Sequence, residues 1–235
     1  MSPDVAIEAD VSPDISKLAI EDNTPVDNLI SEKQQRLLTE PLYSNPSVFG
    51  TRTFLLAANV GVFYAVRQPP LLPDVFLSLD AEVPQDWREK KNRTYFVWEF
   101  GKPPDVMIEI VSNKEGNELG SKLDHYARMG VAYYIVFDPL QQLGDCLLRS
   151  FEQRAGRYQE MSGSWLEALD IGLTLWEGTF EGKDDRWLRW CTAEGVVIPT
   201  GAENAQQERQ RADRAEARVA QLAEQLRAMG INPDA

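Results

Sequence analysis

The stretch from residue 103 to residue 139 constrains the fold of this chain more than any other. It reads PPDVMIEIVSNKEGNELGSKLDHYARMGVAYYIVFDP. An apolar, β-branched run with acidic residues set into it is followed by an amphipathic helical pattern that ends at a glycine, and then by a second apolar run. The pattern predicts a strand, a helix over residues 117–129 and a second strand at residues 132–137. The second strand should lie inside a sheet, because apolar residues occupy both of its faces.

The first of these strands carries acidic side chains. Alternate residues of a strand point to the same face, so Asp105, Glu109 and Val111 share one face. A carboxylate there must be protonated, paired or bound to a cation, because leaving it buried and unpaired costs several kcal/mol. Upstream, Asp74 directly precedes another apolar run at residues 75–79. We therefore expect two carboxylates, those of Asp74 and Glu109, on neighbouring strands.

Composition excludes several kinds of site. The chain has one histidine, His125, and two cysteines, Cys146 and Cys191, which form no CxxC motif. Histidine-dependent triads and zinc clusters need more of these residues, so carboxylate, lysine and hydroxyl chemistry remains. No apolar run approaches the length of a membrane span, and the N-terminus has no signal-peptide pattern. We therefore expect a cytoplasmic protein that has no membrane partner.

The formal net charge of -13 bears on the choice of partner. Phosphate binding normally requires a basic surface, so this charge argues against tight nonspecific binding to DNA at physiological salt. The densest basic cluster consists of Arg88, Lys90, Lys91 and Arg93, next to Trp87. This cluster could contact phosphate and a base, and the alternative is a solvated surface loop.

The chain divides into a leader, one domain and a tail. We expect residues 1–26 to be a disordered acidic leader, residues 27–200 to form the domain and residues 201–235 to form a helix. The first helix of the domain should be capped by Asp27 or Asn28 and should end at Pro41. The remaining predictions are strands at residues 54–58, 60–66, 75–79, 94–100, 173–176 and 178–181, a hairpin formed by residues 146–152 and 157–161, and a short helix at residues 185–191.

The tail has the pattern of a short coiled coil. Apolar residues recur at spacings of three and four between residues 202 and 229, with Glu208 as the one interruption. The apolar positions are Ala205, Ala212, Ala215, Val219, Leu222, Leu226 and Met229. The pattern predicts a homodimer or a higher homo-oligomer. The alternative is a solvated single helix, because an alanine-rich contact surface of this length is weak.

Three motifs together resemble a known family. PDV at residues 73–75, PPDVMIEIVSN at residues 103–113 and LGSKLDHYARMGVAYYIVFDP at residues 119–139 look like the Uma-two family of restriction endonucleases, a branch of the PD-(D/E)XK nuclease superfamily. The resemblance covers roughly residues 28–200. It implies a restriction-endonuclease-like α/β fold, in which helices flank a mixed sheet. It also implies a DNA endonuclease that depends on Mg²⁺ or Mn²⁺.

The resemblance also implies roles for particular residues. Asp74 and Glu109 would bind the metal, and the backbone carbonyl of Ile110 would be a third ligand. The superfamily has a lysine two residues after the second acid, but this chain has Val111 there. The family pattern assigns the role of that lysine to Lys122 on the following helix. The implied catalytic residues are Asp74, Glu109 and Lys122.

Four other residues belong to the surroundings of this expected site. Tyr126 lies one turn beyond Lys122, and Asp105 and Glu40 are expected as further acidic groups near the ligands. Asp105 is either an additional ligand or a cap at the entry of its strand, and we favour the cap. Lys114 is the alternative to Lys122.

Two functions stay open. The first is a metal-dependent DNA endonuclease whose tail pairs two subunits, so that both strands can be cut. The second is a catalytically silent nuclease fold that serves as an oligomeric binding or regulatory module with a protein partner. In that case Glu109 and Lys122 would be an ordinary buried ion pair, and Asp74 would be a turn residue. The missing strand lysine and the negative charge favour the second function, whereas the retained pair of carboxylates favours the first.

Overall fold

The structure is a computed structural model that describes residues 28–113, 117–229 and 232. The leader predicted at residues 1–26 and the alternative lysine, Lys114, lie outside the described residues. In the described part, the helices are α1 (Leu29–Ser44), α2 (Val97–Phe100), α3 (Leu123–Met129) and α4 (Gly201–Ala228). The strands are β1 (Phe54–Ala58), β2 (Val62–Phe63), β3 (Val75–Leu79), β4 (Tyr95–Phe96), β5 (Val106–Ile110), β6 (Tyr133–Phe137), β7 (Leu148–Arg154), β8 (Arg157–Glu160), β9 (Trp165–Leu166), β10 (Ile171–Phe180) and β11 (Lys183–Cys191).

A mixed sheet organises the domain. Its strand order is β1-β3-β5-β6-β7-β8, and β5 and β6 are parallel whereas the other neighbours are antiparallel. Strands β9, β10 and β11 form a second, antiparallel sheet, and β2 pairs with β4. The mixed sheet and its flanking helices confirm the predicted restriction-endonuclease-like α/β fold class.

The two faces of the central sheet are covered by different elements. On one face, Val75, Ile108 and Ile135 pack in a core that includes Leu38 of α1 and Trp190 of β11. On the other face, Met107, Val111 and Tyr134 pack against Tyr126 and Met129 of α3. Both central strands, β5 and β6, are buried along their whole length, so any charged group on them must be satisfied inside the domain.

The strand, helix and strand predicted around residues 103–139 are present as β5, α3 and β6. The helix ends as the sequence indicates, because Gly130 lies just after α3 with φ 90°, a left-handed conformation that favours glycine. The helix does not begin regularly. A wide, kinked turn, Glu118–Lys122, precedes α3, and the kink is at Gly120. This turn brings two charged side chains to the end of β5.

Pro41 does not end the first helix, which corrects one prediction. Asn28 caps α1 by accepting the N–H groups of Ile30 and Ser31, as expected, but the helix continues through Pro41 to Ser44. A proline inside a helix removes one backbone hydrogen bond. Burial of Leu42, together with the hydrogen bond from the Tyr43 hydroxyl to the carbonyl of Leu56, holds the last turn in place.

Five other predicted elements are also wrong in type or extent. Residues 185–191 belong to β11 and not to a helix, because their last five residues are buried between neighbouring elements that sequence periodicity does not reveal. The strand predicted at residues 94–100 is only β4, followed by α2. The strand predicted at residues 60–66 is reduced to β2, and the two short strands predicted at residues 173–181 are the single strand β10.

The tail helix α4 leaves the domain from a fixed junction. A capping box between Thr200 and Glu203 begins the helix. The Glu203 carboxylate also accepts both terminal nitrogens of Arg189, at 2.8 and 2.6 Å. From residue 205 to residue 222 every side chain of α4 is exposed. None of the helices in the described part of the chain combines the length and apolar character needed to cross a membrane.

Candidate active site

Strand pairing brings Asp74 close to the strand that carries Glu109. Val75 pairs with Ile108 in the antiparallel ladder of β3 and β5, and Asp74 is the residue before β3. The Asp74 carboxylate accepts the backbone N–H of Ile110, the residue after Glu109. Both side chains are buried, with exposures of 7% for Asp74 and 2% for Glu109. The two acids are therefore neighbours in space although they are distant in sequence.

Asp74 is held by groups from the sheet and from α1. Its Oδ2 accepts the backbone N–H of Ile110 at 2.6 Å, and its Oδ1 accepts the side-chain amide of Gln35 at 3.1 Å. Gln35 also exchanges hydrogen bonds with the side-chain amide of Asn59, which follows β1. The backbone N–H of Asn59 in turn donates to the carbonyl of Asp74. The turn before β3 is thereby fixed from both sides.

Glu109 is held by α3 and the turn before it. Its Oε2 accepts the ammonium of Lys122 at 2.9 Å, and its Oε1 accepts the hydroxyl of Tyr126 at 2.6 Å. Lys122 and Tyr126 are four residues apart, so one helical face can present both donors to the same carboxylate. The Lys122 side chain retains 28% exposure. It is thus the member of this group that connects the buried carboxylate with solvent.

A third acid, Glu118, shares the same ammonium. Its Oε1 lies 3.3 Å from Nζ of Lys122, and its exposure is only 5%. Its other oxygen, Oε2, has no hydrogen-bond partner among the described residues. The hydroxyl of Tyr134 on β6 donates to the backbone carbonyl of Glu118 at 3.0 Å. The group therefore contains one ammonium between two buried carboxyl groups, with Asp74 close by.

Burial dominates the electrostatics of this group. It raises the pKa of Glu109, and the attraction of Lys122 and the hydrogen bond from Tyr126 offset only part of that rise. Burial lowers the pKa of Lys122, but Glu109 and Glu118 outweigh it, so the net pKa of Lys122 is raised. Burial and the neighbouring Glu109 also raise the pKa of Tyr126. Lys122 is therefore a charged donor, not a neutral base, at ordinary pH.

Two of the expected site residues lie elsewhere. The carboxylate of Glu40 accepts the backbone N–H of Gly201 at 2.9 Å, at the beginning of α4. The carboxylate of Asp105 accepts the ammonium of Lys102 at 2.6 Å and the backbone N–H of Leu79 at 2.8 Å. It sits at the entry of β5, four residues before Glu109, and a strand covers about 13 Å in that length. The role favoured for Asp105, a cap of the strand entry, agrees with these contacts.

Sequence reasoning missed Gln35, Asn59 and Glu118. One signal could have indicated Gln35, because it lies three residues before Leu38 on the apolar side of α1, where a polar side chain needs a partner. Glu118 lies four residues before Lys122, the spacing of an ion pair on one helical face. Nothing in the sequence indicates Asn59, because its contact with Gln35 depends on how β1 and α1 pack.

The donor set matches a hard divalent cation. Mg²⁺ is commonly held by one or two carboxylates and keeps several water ligands. The carboxylates of Asp74 and Glu109, together with a backbone carbonyl, would form such a ligand set. In the part of the chain that the structure describes, no group of three or more His, Cys, Asp or Glu side chains is placed to hold a metal ion. A surface cleft of about 450 Å³ lies away from these acids, beside Pro139 and Arg186.

The fold and this group of side chains define a nuclease-like α/β domain. Asp74 before β3, Glu109 on β5 and Lys122 before α3 lie at the same end of the central sheet. A family model, Uma2, described as "Putative restriction endonuclease", matches residues 8–175. The chain belongs to the Uma2 family, which confirms the resemblance seen in the motifs. A search of curated proteins finds no significant match.

Proposed function

We propose that this protein is a metal-dependent DNA endonuclease that hydrolyses phosphodiester bonds. Asp74, Glu109 and the backbone carbonyl of Ile110 would hold Mg²⁺ or Mn²⁺. The bound cation would polarise a phosphoryl oxygen and lower the pKa of a water molecule. The observation that supports the proposal is the contact of the Asp74 carboxylate with the N–H of Ile110, next to Glu109, together with the Lys122 ammonium 2.9 Å from Glu109.

The residues of the chain have distinct roles in this proposal. The amide of Gln35 and the N–H of Ile110 orient the Asp74 carboxylate. The carboxylate would therefore need no reorganisation when the metal ion binds. Tyr126 orients Glu109 through its hydroxyl. Lys122, charged and partly exposed, would position the attacking water or stabilise the negative charge that develops on the phosphate. Its raised pKa supports the role of a cationic donor over that of a base.

A plasmid assay tests this function. Supercoiled plasmid is incubated with the protein and Mg²⁺ or Mn²⁺, beside Glu109→Ala and beside Asp124→Asn. Asp124 is an exposed acid on α3 and serves as the matched control. We expect nicking that depends on the metal, is unchanged in Asp124→Asn and falls at least about 100-fold in Glu109→Ala. Equal activity in wild type and Glu109→Ala would show a contaminating nuclease and would refute the proposal.

The second part of the proposal is a homodimer formed through α4. The apolar positions of α4 include Val219 and Leu222, whose exposures are 66% and 43%. Such residues at heptad spacing favour a partner helix, and two subunits would allow both DNA strands to be cut. The junction of Glu203 with Arg189 supports this arrangement, because it fixes the direction in which α4 leaves the domain.

Light scattering after size-exclusion chromatography tests the dimer. We expect the mass of two chains for the wild type, and the mass of one chain for Leu222→Asp. Gln221→Asp places the same residue next to that position but outside the apolar surface, and it should leave the dimer intact. A wild-type mass of one chain at the highest concentration tested would refute pairing through α4.

One set of observations favours the second candidate function, a catalytically silent binding or regulatory module. Asp74 and Glu109 are almost fully buried, and Glu109 already accepts from Lys122 and from Tyr126. Val111 occupies the strand position of the superfamily lysine and is itself buried in the core. Calorimetric titration with Mn²⁺ separates the two candidates, because the silent module would take up no metal and nick no DNA.

A further inference from the structure

Glu118 is a buried acid that the proposed reaction does not use. Only 5% of the residue is exposed, its Oε1 contacts the Lys122 ammonium at 3.3 Å, and its Oε2 has no partner among the described residues. A buried carboxylate oxygen normally has a hydrogen-bond partner, so an unused one requires an explanation. Among the described residues, the cation in contact with Glu118 is Lys122.

The kinked turn Glu118–Lys122 determines the position of Glu118. Asn117 precedes it in a left-handed conformation with φ 55°, and Gly120 follows with φ -122° and ψ -110°. A Cβ on Gly120 would lie 2.2 Å from the side-chain oxygen of Asn117, so a larger residue at this position would displace that side chain. Because of this turn, Glu118 and Lys122 point to the same place, where the carboxylate of Glu109 lies.

Lys122 needs a second acceptor if Glu109 is to bind a cation. In the structure Glu109 holds the ammonium at 2.9 Å, which is shorter than the distance from Glu118. A divalent cation on Glu109 would repel the ammonium and would compete for the same oxygen. Among the described residues, Glu118 is the second carboxylate in contact with Lys122, and its Oε2 has no hydrogen-bond partner there. It can therefore accept the ammonium through both oxygens.

We propose that Glu118 is the positioning residue for Lys122. When Glu109 binds a divalent cation, Glu118 becomes the carboxylate that accepts the Lys122 ammonium. The inference rests on the proposed function, because it needs a cation at Glu109. It assigns Glu118 to the lysine and not to the metal, since the described residues contain no group of three acids placed to hold a metal ion. Glu118 thereby keeps Lys122 in the site, where an ammonium without an acceptor would move into solvent.

The first test needs no metal. The ammonium protons of a held lysine give an NMR signal that a freely exchanging lysine lacks, and Lys122→Arg identifies that signal. Glu109→Gln removes the charge that holds Lys122 in the metal-free protein. We expect the signal to persist in Glu109→Gln and to vanish in Glu109→Gln/Glu118→Gln. Loss of the signal in Glu109→Gln alone would show that Glu118 cannot hold the ammonium, and would overturn the inference.

The second test adds Mg²⁺ and measures Mn²⁺ binding. At saturating Mg²⁺ we expect the Lys122 signal in the wild type and its loss in Glu118→Gln. The Mn²⁺ affinity of Glu118→Gln should stay within about threefold of wild type, whereas substitution of a residue that orients metal ligands costs about 10- to 100-fold. A fall in affinity as large as that of Glu109→Gln would make Glu118 a ligand and would overturn the positioning role.

The activity test separates this inference from the proposed function. We expect the nicking rate at saturating Mg²⁺ to fall about 10- to 100-fold in Glu118→Gln and to recover in part in Glu118→Asp. The exposed Asp124→Asn should leave both rate and signal unchanged. If the wild type binds no Mn²⁺, the proposed function fails and the inference fails with it. If the wild type binds and nicks while Glu118→Gln matches it, only the inference fails.

Discussion

Two buried ion pairs in this domain are built in opposite ways. At the beginning of α4, Arg189 is 2% exposed and is matched by a single carboxylate, that of Glu203, through two hydrogen bonds. Arg189 also donates to the carbonyl of Ile198, and its guanidinium lies 4.7 Å from the ring of Trp176. At the candidate site, one lysine is shared by two buried carboxyl groups, and Oε2 of Glu118 has no hydrogen-bond partner in the part of the chain that the structure describes.

The difference between the two pairs separates a structural role from a functional one. The Arg189 pair is balanced in charge and joins the tail helix to the domain. The Lys122 group has an excess of acid, and such excess in a buried place is removed by protonation or by a cation. The two pairs also differ in how a charge that has lost its partner can be neutralised. A guanidinium cannot lose its proton in a protein, whereas a buried carboxyl group can become neutral.

The largest predicted effect is at the balanced pair. Glu203→Ala leaves the buried Arg189 charge without its counter-ion and removes the capping box with Thr200. We expect the free energy of unfolding to fall by about 3 kcal/mol, the low end for breaking a buried pair, because the Glu203 side chain is partly exposed. Urea denaturation measures this loss. A loss below about 1 kcal/mol would contradict the structural role given to the pair.

A smaller effect is expected when the shared lysine is removed. Lys122→Met takes the ammonium from Glu109 and Glu118, but the buried carboxyl group of Glu109, whose pKa burial already raises, can take up a proton and become neutral. We therefore expect a loss of about 1–2 kcal/mol in the free energy of unfolding, together with loss of nicking. The same urea experiment compares it directly with Glu203→Ala. A loss larger than that of Glu203→Ala would reverse the comparison.

Glu109→Gln should change stability least. The amide keeps an acceptor for the Tyr126 hydroxyl, and Glu118 remains to neutralise Lys122. Burial raises the pKa of Glu109, so its charged form is not what stabilises the fold. We expect a change within about 1 kcal/mol in unfolding free energy, measured by the same denaturation, although nicking is lost. A loss of about 3 kcal/mol or more would make Glu109 a structural acid like Glu203.

The pH dependence of stability gives a last, gradual test of the balanced pair. The hydrogen bonds from Arg189 and Thr200 outweigh burial and lower the pKa of Glu203 below 4.5. A carboxyl group with a lowered pKa contributes stability above its unfolded pKa, and this contribution is lost as pH falls through the folded pKa. The stability difference between wild type and Glu203→Gln should therefore be full at pH 7 and should shrink below pH 4.5. A stability difference between wild type and Glu203→Gln that grows as pH falls would contradict the lowered pKa of Glu203.

Much of the fold was predictable because its signals are local. β1 and β3 coincide with the predicted strands, and the unit β5, α3 and β6 was recognisable from alternation, from helical periodicity and from Gly130. The predicted helix at residues 185–191 was wrong because β11 is shaped by its pairing with β10, which short-range periodicity does not report. Pro41 was misjudged for a related reason, since packing of Leu42 outweighs one missing hydrogen bond.

The sequence by itself determined which residues can carry charge in the core: Asp74 before one apolar strand, Glu109 inside another, and Lys122 on the helix between two strands. These followed from residue type and spacing, which act within a few residues. Three contacts were decided only by the tertiary structure. The Gln35 amide donates to Asp74, and Glu40 accepts the backbone N–H of Gly201. The Glu118 carboxylate contacts the ammonium of Lys122. Such contacts depend on strand register and helix packing, and these are set by the burial of many side chains at once.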